Sequence, residues 1–109
     1  MNEGQNYAFA NGQKVSQQCN GVVIVWSKYD SANKTALNQD FIYRFVPKAH
    51  ITYFGGCGFW CSDFGAGMCK YVYLTDTTIS GNTINDDKGT RNGVTFNNTD
   101  YVLRYVIGV

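Results

Sequence analysis

The sequence predicts an all-β chain, an antiparallel β-sandwich or barrel-like domain, on three observations. Short runs rich in β-branched and aromatic residues recur along it, separated by clusters of Gly, Asn and Asp. No stretch of about 11 residues or more keeps the i, i+3, i+4, i+7 apolar spacing of an amphipathic helix, so no long helix is expected. Twelve glycines stand against a single proline, Pro47, a composition that suits many tight turns because Gly and Asn accept positive φ.

The elements follow in order. A chain of 109 residues fits one domain around one core, with residues 1–12 read as a poorly ordered or linker segment. "QKVSQQ" (13–18) is a weak strand candidate. "VVIVWSKYD" (22–30) is continuously apolar from Val22 to Trp26, the pattern of a strand covered on both faces, and this places Trp26 in the core. "FIYRFV" (41–46) alternates, setting Ile42 and Arg44 on a different face from Phe41, Tyr43 and Phe45. "HITYF" (50–54), "KYVYLTD" (70–76), "GVTFNN" (93–98) and the terminal "YVLRYVIGV" (101–109) complete the strand set. The last of these is apolar enough to require either an interior place in a sheet or a contact with other chains.

The connections carry their own expectations. "SANKTALNQD" (31–40) and "SGNTINDDKGTRNG" (80–93) read as exposed loops free to bind. "GGCGFWCSDFGAGMC" (55–69) surrounds Phe59, Trp60 and Phe64 with glycines that weaken any regular element. Those rings are then either covered by a partner surface or offered to a ligand.

Nine Lys and Arg against eight Asp and Glu leave a net charge of +1, which argues against the basic field of a nucleic-acid binder and for a partner that is uncharged or only locally charged. There is no basic segment followed by an apolar export core, and no apolar run near the ~20 residues of a membrane helix. The expectation is a soluble chain without a signal peptide or membrane insertion, whose four cysteines stay free thiols.

Four segments in order, "SQQCNGVVIVWSKYD" (16–30), "FVPKAH" (45–50), "KYVYLTDTTISGN" (70–82) and "GVTFNNTDYVLRYVIGV" (93–109), resemble the C-terminal head domain of tail receptor-binding proteins, or tail fibres, of phages and prophages of Gram-positive bacteria. The resemblance runs across nearly the whole chain. It implies a compact antiparallel β head, assembled as a homotrimer at the tail tip of the virion beside other tail proteins, after synthesis in the bacterial cytoplasm. It also implies adhesion to host-surface saccharides such as wall teichoic acid or other cell-wall polysaccharides. The cysteines and the Phe-Trp pair in the glycine-rich segment depart from what is general in that family.

Candidate site residues follow from chemistry. Phe59 and Trp60 can stack on the apolar faces of sugar rings while Asp63 bonds hydroxyls, or the two rings can plug a core or a subunit contact. Asn82, Asn85, Asp86, Asp87, Lys88 and Arg91 offer oxygens for a sugar or Ca²⁺ and a cation pair for a phosphate-bearing polymer. The same residue types also make an ordinary solvated turn. His50, Cys57, Cys61 and Cys69 spell H-x6-C-x3-C-x7-C, which lacks the paired C-x2-C or H-x3-H ligands typical of structural zinc and leaves the four as weak zinc candidates. No metal or cofactor is therefore expected, and the cysteines read as small buried hydrophobes.

Catalysis is not expected. Glu3 is the only glutamate, no aspartate spacing suggests a carboxylate pair, and a cysteine with His50 as its base can be written for any chain holding both. An adhesion module is the leading reading. A structural or assembly component of the tail and a small wall-degrading enzyme are the alternatives.

Overall fold

Backbone pairing builds two four-stranded antiparallel sheets and one hairpin from the described residues. The structure is a computed structural model and describes residues 5–61 and 69–109, apart from the side chains of Arg91 and Val94. The first sheet comprises β1 (Asn6–Ala8), β5 (Gly58–Trp60), β6 (Tyr71–Leu74) and β7 (Thr78–Gly81), in the order β1-β7-β6-β5. The second is built on β2 (Gly21–Asp30), with β10 (Tyr101–Gly108) along one edge and β4 (Ile42–Pro47) and β3 (Thr35–Ala36) along the other. β8 (Lys88–Arg91) and β9 (Val94–Asn97) form the hairpin. The chain is all-β in class; its helix α1 (Ala49–Phe54) is six residues long, and no helix among the described residues is long and apolar enough to cross a membrane.

The two sheets share one core. Val22, Ile24, Trp26 and Val46 come from the second sheet and Val72, Leu74 and Ile79 from the first, with Val15 and Cys61 between them. Trp26 is fully buried, as expected, and its strand is the central one. Each strand is paired or half-buried for a reason its residues show: in β4, Ile42 and Val46 turn to the core while Tyr43 and Phe45 turn out. This is the alternation read from "FIYRFV".

Two buried asparagines hold the start of β6 to the turns that precede and follow the hairpin. Asn85 accepts from the Tyr71 amide at 2.7 Å and donates to the Tyr71 carbonyl at 2.9 Å. Asn98 accepts from the Cys69 amide at 2.7 Å and donates to the Ile84 carbonyl at 2.6 Å. Both side chains are fully buried, so each amide must find partners within the protein. The turns that carry them are capped alike: Asn82 accepts from Ile84 N and Asn97 from Thr99 N.

Several expectations need correction. "HITYF" is the helix α1 rather than a strand: Pro47 ends β4, and the helical turn packs Ile51 onto the core and sets His50 and Phe54 on one face at i, i+4. "QKVSQQ" forms a 3-10 turn at Val15–Gln17 that buries Val15 and is tied to Asp76 through Ser16. Residues 80–93 are not an open loop, because the end of β7, a 3-10 turn at Thr83–Asp86 and β8 occupy most of it. Asn92 and Gly93, both at positive φ, make the tight turn from β8 to β9. The glycine-rich segment contains β5, and Gly58 is needed there because the Tyr71 ring lies where a side chain would stand. Within the supposed linker, residues 6–8 pair with β7; residues 1–4 lie outside the described residues.

The terminal strand is an edge strand paired to β2 alone among the described residues. Its register shifts between Leu103 and Tyr105, leaving Arg104 at a bulge. Arg104 there donates to Ser27 Oγ at 2.9 Å, the Leu37 carbonyl at 3.2 Å and Asn38 Oδ1 at 2.9 Å, fastening β10 to the 37–41 segment. Of the two alternatives expected for this strand, an interior place in a sheet does not hold among the described residues, and its outward side chains Tyr105 and Ile107 lie exposed on the face that carries Tyr43 and Phe45.

The Asn85→Ala variant strands the Tyr71 amide and carbonyl in the interior and should lose about 3 kcal/mol of stability. Asn82→Ala, which removes a cap at a half-buried site, should lose about 1 kcal/mol. Urea unfolding of both variants reads the difference; equal losses would mean that Asn85 does not carry the clamp.

Candidate functional site

The Lys70 ammonium lies under a groove between two strand edges. Lys70 is 1% exposed, and its Nζ donates to the Asn85 carbonyl at 3.0 Å and stands 5.5 Å from the centre of the Trp26 ring. It reaches this position because the asparagine clamp fixes the residues on either side of it, Cys69 and Tyr71. Above it opens a cavity of about 540 Å³ between β1 and β10, whose lining includes Tyr7, Tyr29, Tyr101, Thr99 and Asp86, with Lys70 itself at the floor. The consecutive run 101–106 lines it, so the groove follows the unpaired edge of β10. The Lys28 ammonium stands 5.7 Å over the Tyr101 ring, fixing that ring at the rim.

Electrostatics at the floor follow from burial. Desolvation pulls the Lys70 ammonium down to about 8 from the usual 10.5, while Asp86, Cys69 and Asp100 work in the opposite direction. Burial also pushes the Cys61 thiol up to about 12. The neighbouring Trp26 indole and the Arg44 charge work in the opposite direction without overcoming it. A lining that includes four tyrosines, Tyr7, Tyr29, Tyr101 and Tyr105, with Phe9 and the polar residues Lys70, Arg104, Asp86 and Thr99 suits a ring-shaped ligand bearing hydroxyls, because aromatic faces take its C–H surface and the polar groups fix its orientation.

The residues singled out by sequence are dispersed. Phe59 and Trp60 point to opposite faces of β5: Phe59 packs against the core and His50, with ring centroids 5.0 Å apart, while Trp60 is 46% exposed on the other side. One sugar ring cannot stack on both. Trp60, Tyr71 and Tyr73 form a row at 4.9 and 5.5 Å with interplanar angles of 80° and 74°, and Asn82 bonds the Tyr73 hydroxyl at 2.7 Å. Rings set edge to face in this way pack on each other and present no flat platform.

Asn85 is consumed by the clamp, so the expectation that it contacts a ligand is corrected. Lys88 is exposed on β8, Arg91 ends that strand with its side chain outside the described residues, and Asp63 lies wholly outside them. Among the described members of the set, Asp86 alone lines the groove. Cys19 and Cys57 are exposed free thiols and Cys61 and Cys69 buried ones. Among the described residues no three His, Cys, Asp or Glu side chains converge as a metal site would require.

Comparison with family models, with curated proteins and with solved structures finds no match in any of the three. The groove and the apolar surface beside it are the features of the fold that point to a function. Sequence reasoning missed Tyr7, Tyr29, Tyr101 and Lys70. The available signal was a lysine heading an apolar strand, "KYVYL", which demands an internal partner for its charge.

The two buried titrating groups affect stability in opposite senses. The folded chain binds fewer protons than the unfolded one at Lys70 between about pH 8 and 10.5, so that group adds stability as pH rises through this window. Cys61 stays protonated when folded and loses stability above its unfolded value of 9.0. Comparing wild type with Lys70→Met cancels the thiol: the wild type should gain about 2 to 3 kcal/mol relative to the variant between pH 7 and 10.5. Urea unfolding at several pH values measures this, and a pH-independent difference would mean that Lys70 titrates as an exposed lysine.

Proposed function

We propose that this chain is a saccharide-binding adhesion module, the head of a phage or prophage tail fibre that attaches to the surface of a Gram-positive host without catalysing a reaction. The observation that carries the reading is the tyrosine-lined groove with Lys70 at its floor and Asp86 on its wall. It has the size and mixed lining of a small-ligand site, and its rings and hydroxyl-bonding groups are those a sugar needs. The sequence resemblance to tail-fibre heads points the same way.

The outer face of the second sheet supports assembly into a homotrimer. Phe41, Tyr43, Phe45, Tyr105 and Ile107 are exposed there, Tyr43 by 67%. Arg104, a charge beside them, is held by three hydrogen bonds and stacked on Phe41 and Tyr105. Exposed apolar faces of this extent mark protein contacts. Three heads held together turn weak single sites into firm attachment through effective concentration.

The same face favours a second reading, an assembly component of the tail that docks on another virion protein. Binding to isolated cell walls separates the two. The adhesin reading expects wild-type protein to label walls of a susceptible Gram-positive host and Tyr7→Ala, a change at an exposed ring 51% open to solvent, to bind about tenfold more weakly. Copurification with tail proteins and no labelling of any wall would favour the assembly reading instead.

A further inference from the structure

Lys70 and Asp86 line one groove without an ion pair between them, and among the described residues the Lys70 ammonium makes one hydrogen bond, to the Asn85 carbonyl, and the Asp86 carboxylate none. An ammonium carries three donors and a carboxylate only acceptors. Lys70 spends one donor on Asn85 and turns toward the Trp26 ring. A buried charge with so few partners is costly unless another group completes its shell.

The group that suits both is narrow in kind. An anion would accept from Lys70 but meet Asp86, which with Asp100 acts electrostatically on the ammonium, while Arg104, the other cation of the lining, already donates to Ser27, Leu37 and Asn38. A cation would satisfy Asp86 but oppose Lys70. A hydroxyl accepts at its oxygen and donates through its proton, so one such group answers both. The rings of Tyr7, Tyr29 and Tyr101 around the same cavity then cover the carbon skeleton that bears it.

We infer that the floor of the groove is a hydroxyl-binding subsite, in which one hydroxyl of a neutral pyranoside accepts from Lys70 Nζ and donates to the Asp86 carboxylate. The assignment rests on the saccharide-binding reading and narrows it: the groove selects uncharged sugar and excludes phosphate-bearing polymers. Asp86 sets this selectivity from the exposed wall, and Lys70 sets it from the buried floor.

The test is a titration of the ¹⁵N-labelled full chain with a panel of neutral methyl hexopyranosides, and with glycerol 3-phosphate as the anionic probe, following the amides of Asp86, Thr99 and Tyr101. Neutral glycosides should shift these amides and glycerol 3-phosphate should not. Asp86→Asn, an exposed change that leaves the fold alone, should weaken binding about tenfold or more, and Lys70→Met should do the same if it folds. Neutral glycosides binding Asp86→Asn as well as wild type would overturn the bridge and leave the saccharide reading standing. Tighter binding of glycerol 3-phosphate would overturn the selectivity, and a groove silent to every probe would overturn both the subsite and the reading it rests on.

Discussion

A lysine ammonium placed on an indole face, inside a domain with a single core, constrains everything around it. Lys70 must be held where its charge has partners, and the backbone on both sides of it is fixed by the amides of Asn98 and Asn85. Those asparagines in turn need short capped turns to bring them inward, and Asn82 and Asn97 supply the caps. The hairpin of β8 and β9 hangs between these turns, so the polar clamp determines where it lies. The groove exists because the same clamp seats Lys70 and leaves Asp86 on the wall beside it.

The division of labour between surfaces follows from the strand order. β2 is central and carries Trp26, so its two neighbours must be edges or near them. β10 takes one side, and its bulge at Arg104 turns a potentially sticky edge into one with a fixed bend. One aspect of β10 lines the tyrosine groove, and another adds Tyr105 and Ile107 to the apolar sheet face. Ligand contact and chain contact therefore share a strand.

Much of the scaffold was legible in the sequence because period-2 alternation and continuous β-branched runs report burial directly. "VVIVW" and "FIYRFV" gave their faces correctly for that reason. Where short-range pattern and tertiary demand disagree, the pattern misled: "HITYF" has strand-forming residues but must turn after Pro47 to lay Ile51 on the core. The Asn-Gly pair at 92 and 93 was an available hairpin signal inside a segment that composition alone presents as loop. The site was far less legible. Its tyrosines come from three separate strands, and only the sheet topology brings Tyr7, Tyr29 and Tyr101 together, while Asn85 looked like a surface residue because its burial depends on a hydrogen-bond pattern that no local spacing encodes.

Native-state hydrogen exchange tests the clamp most directly. The Cys69 and Tyr71 amides donate to side chains rather than to a neighbouring strand, so their protection reports the asparagines and nothing else. The account predicts that both exchange as slowly as the Val25 amide in the central strand, through global unfolding. Exchange at those two amides orders of magnitude faster than at Val25 would contradict it, because the floor of the groove would then open independently of the core.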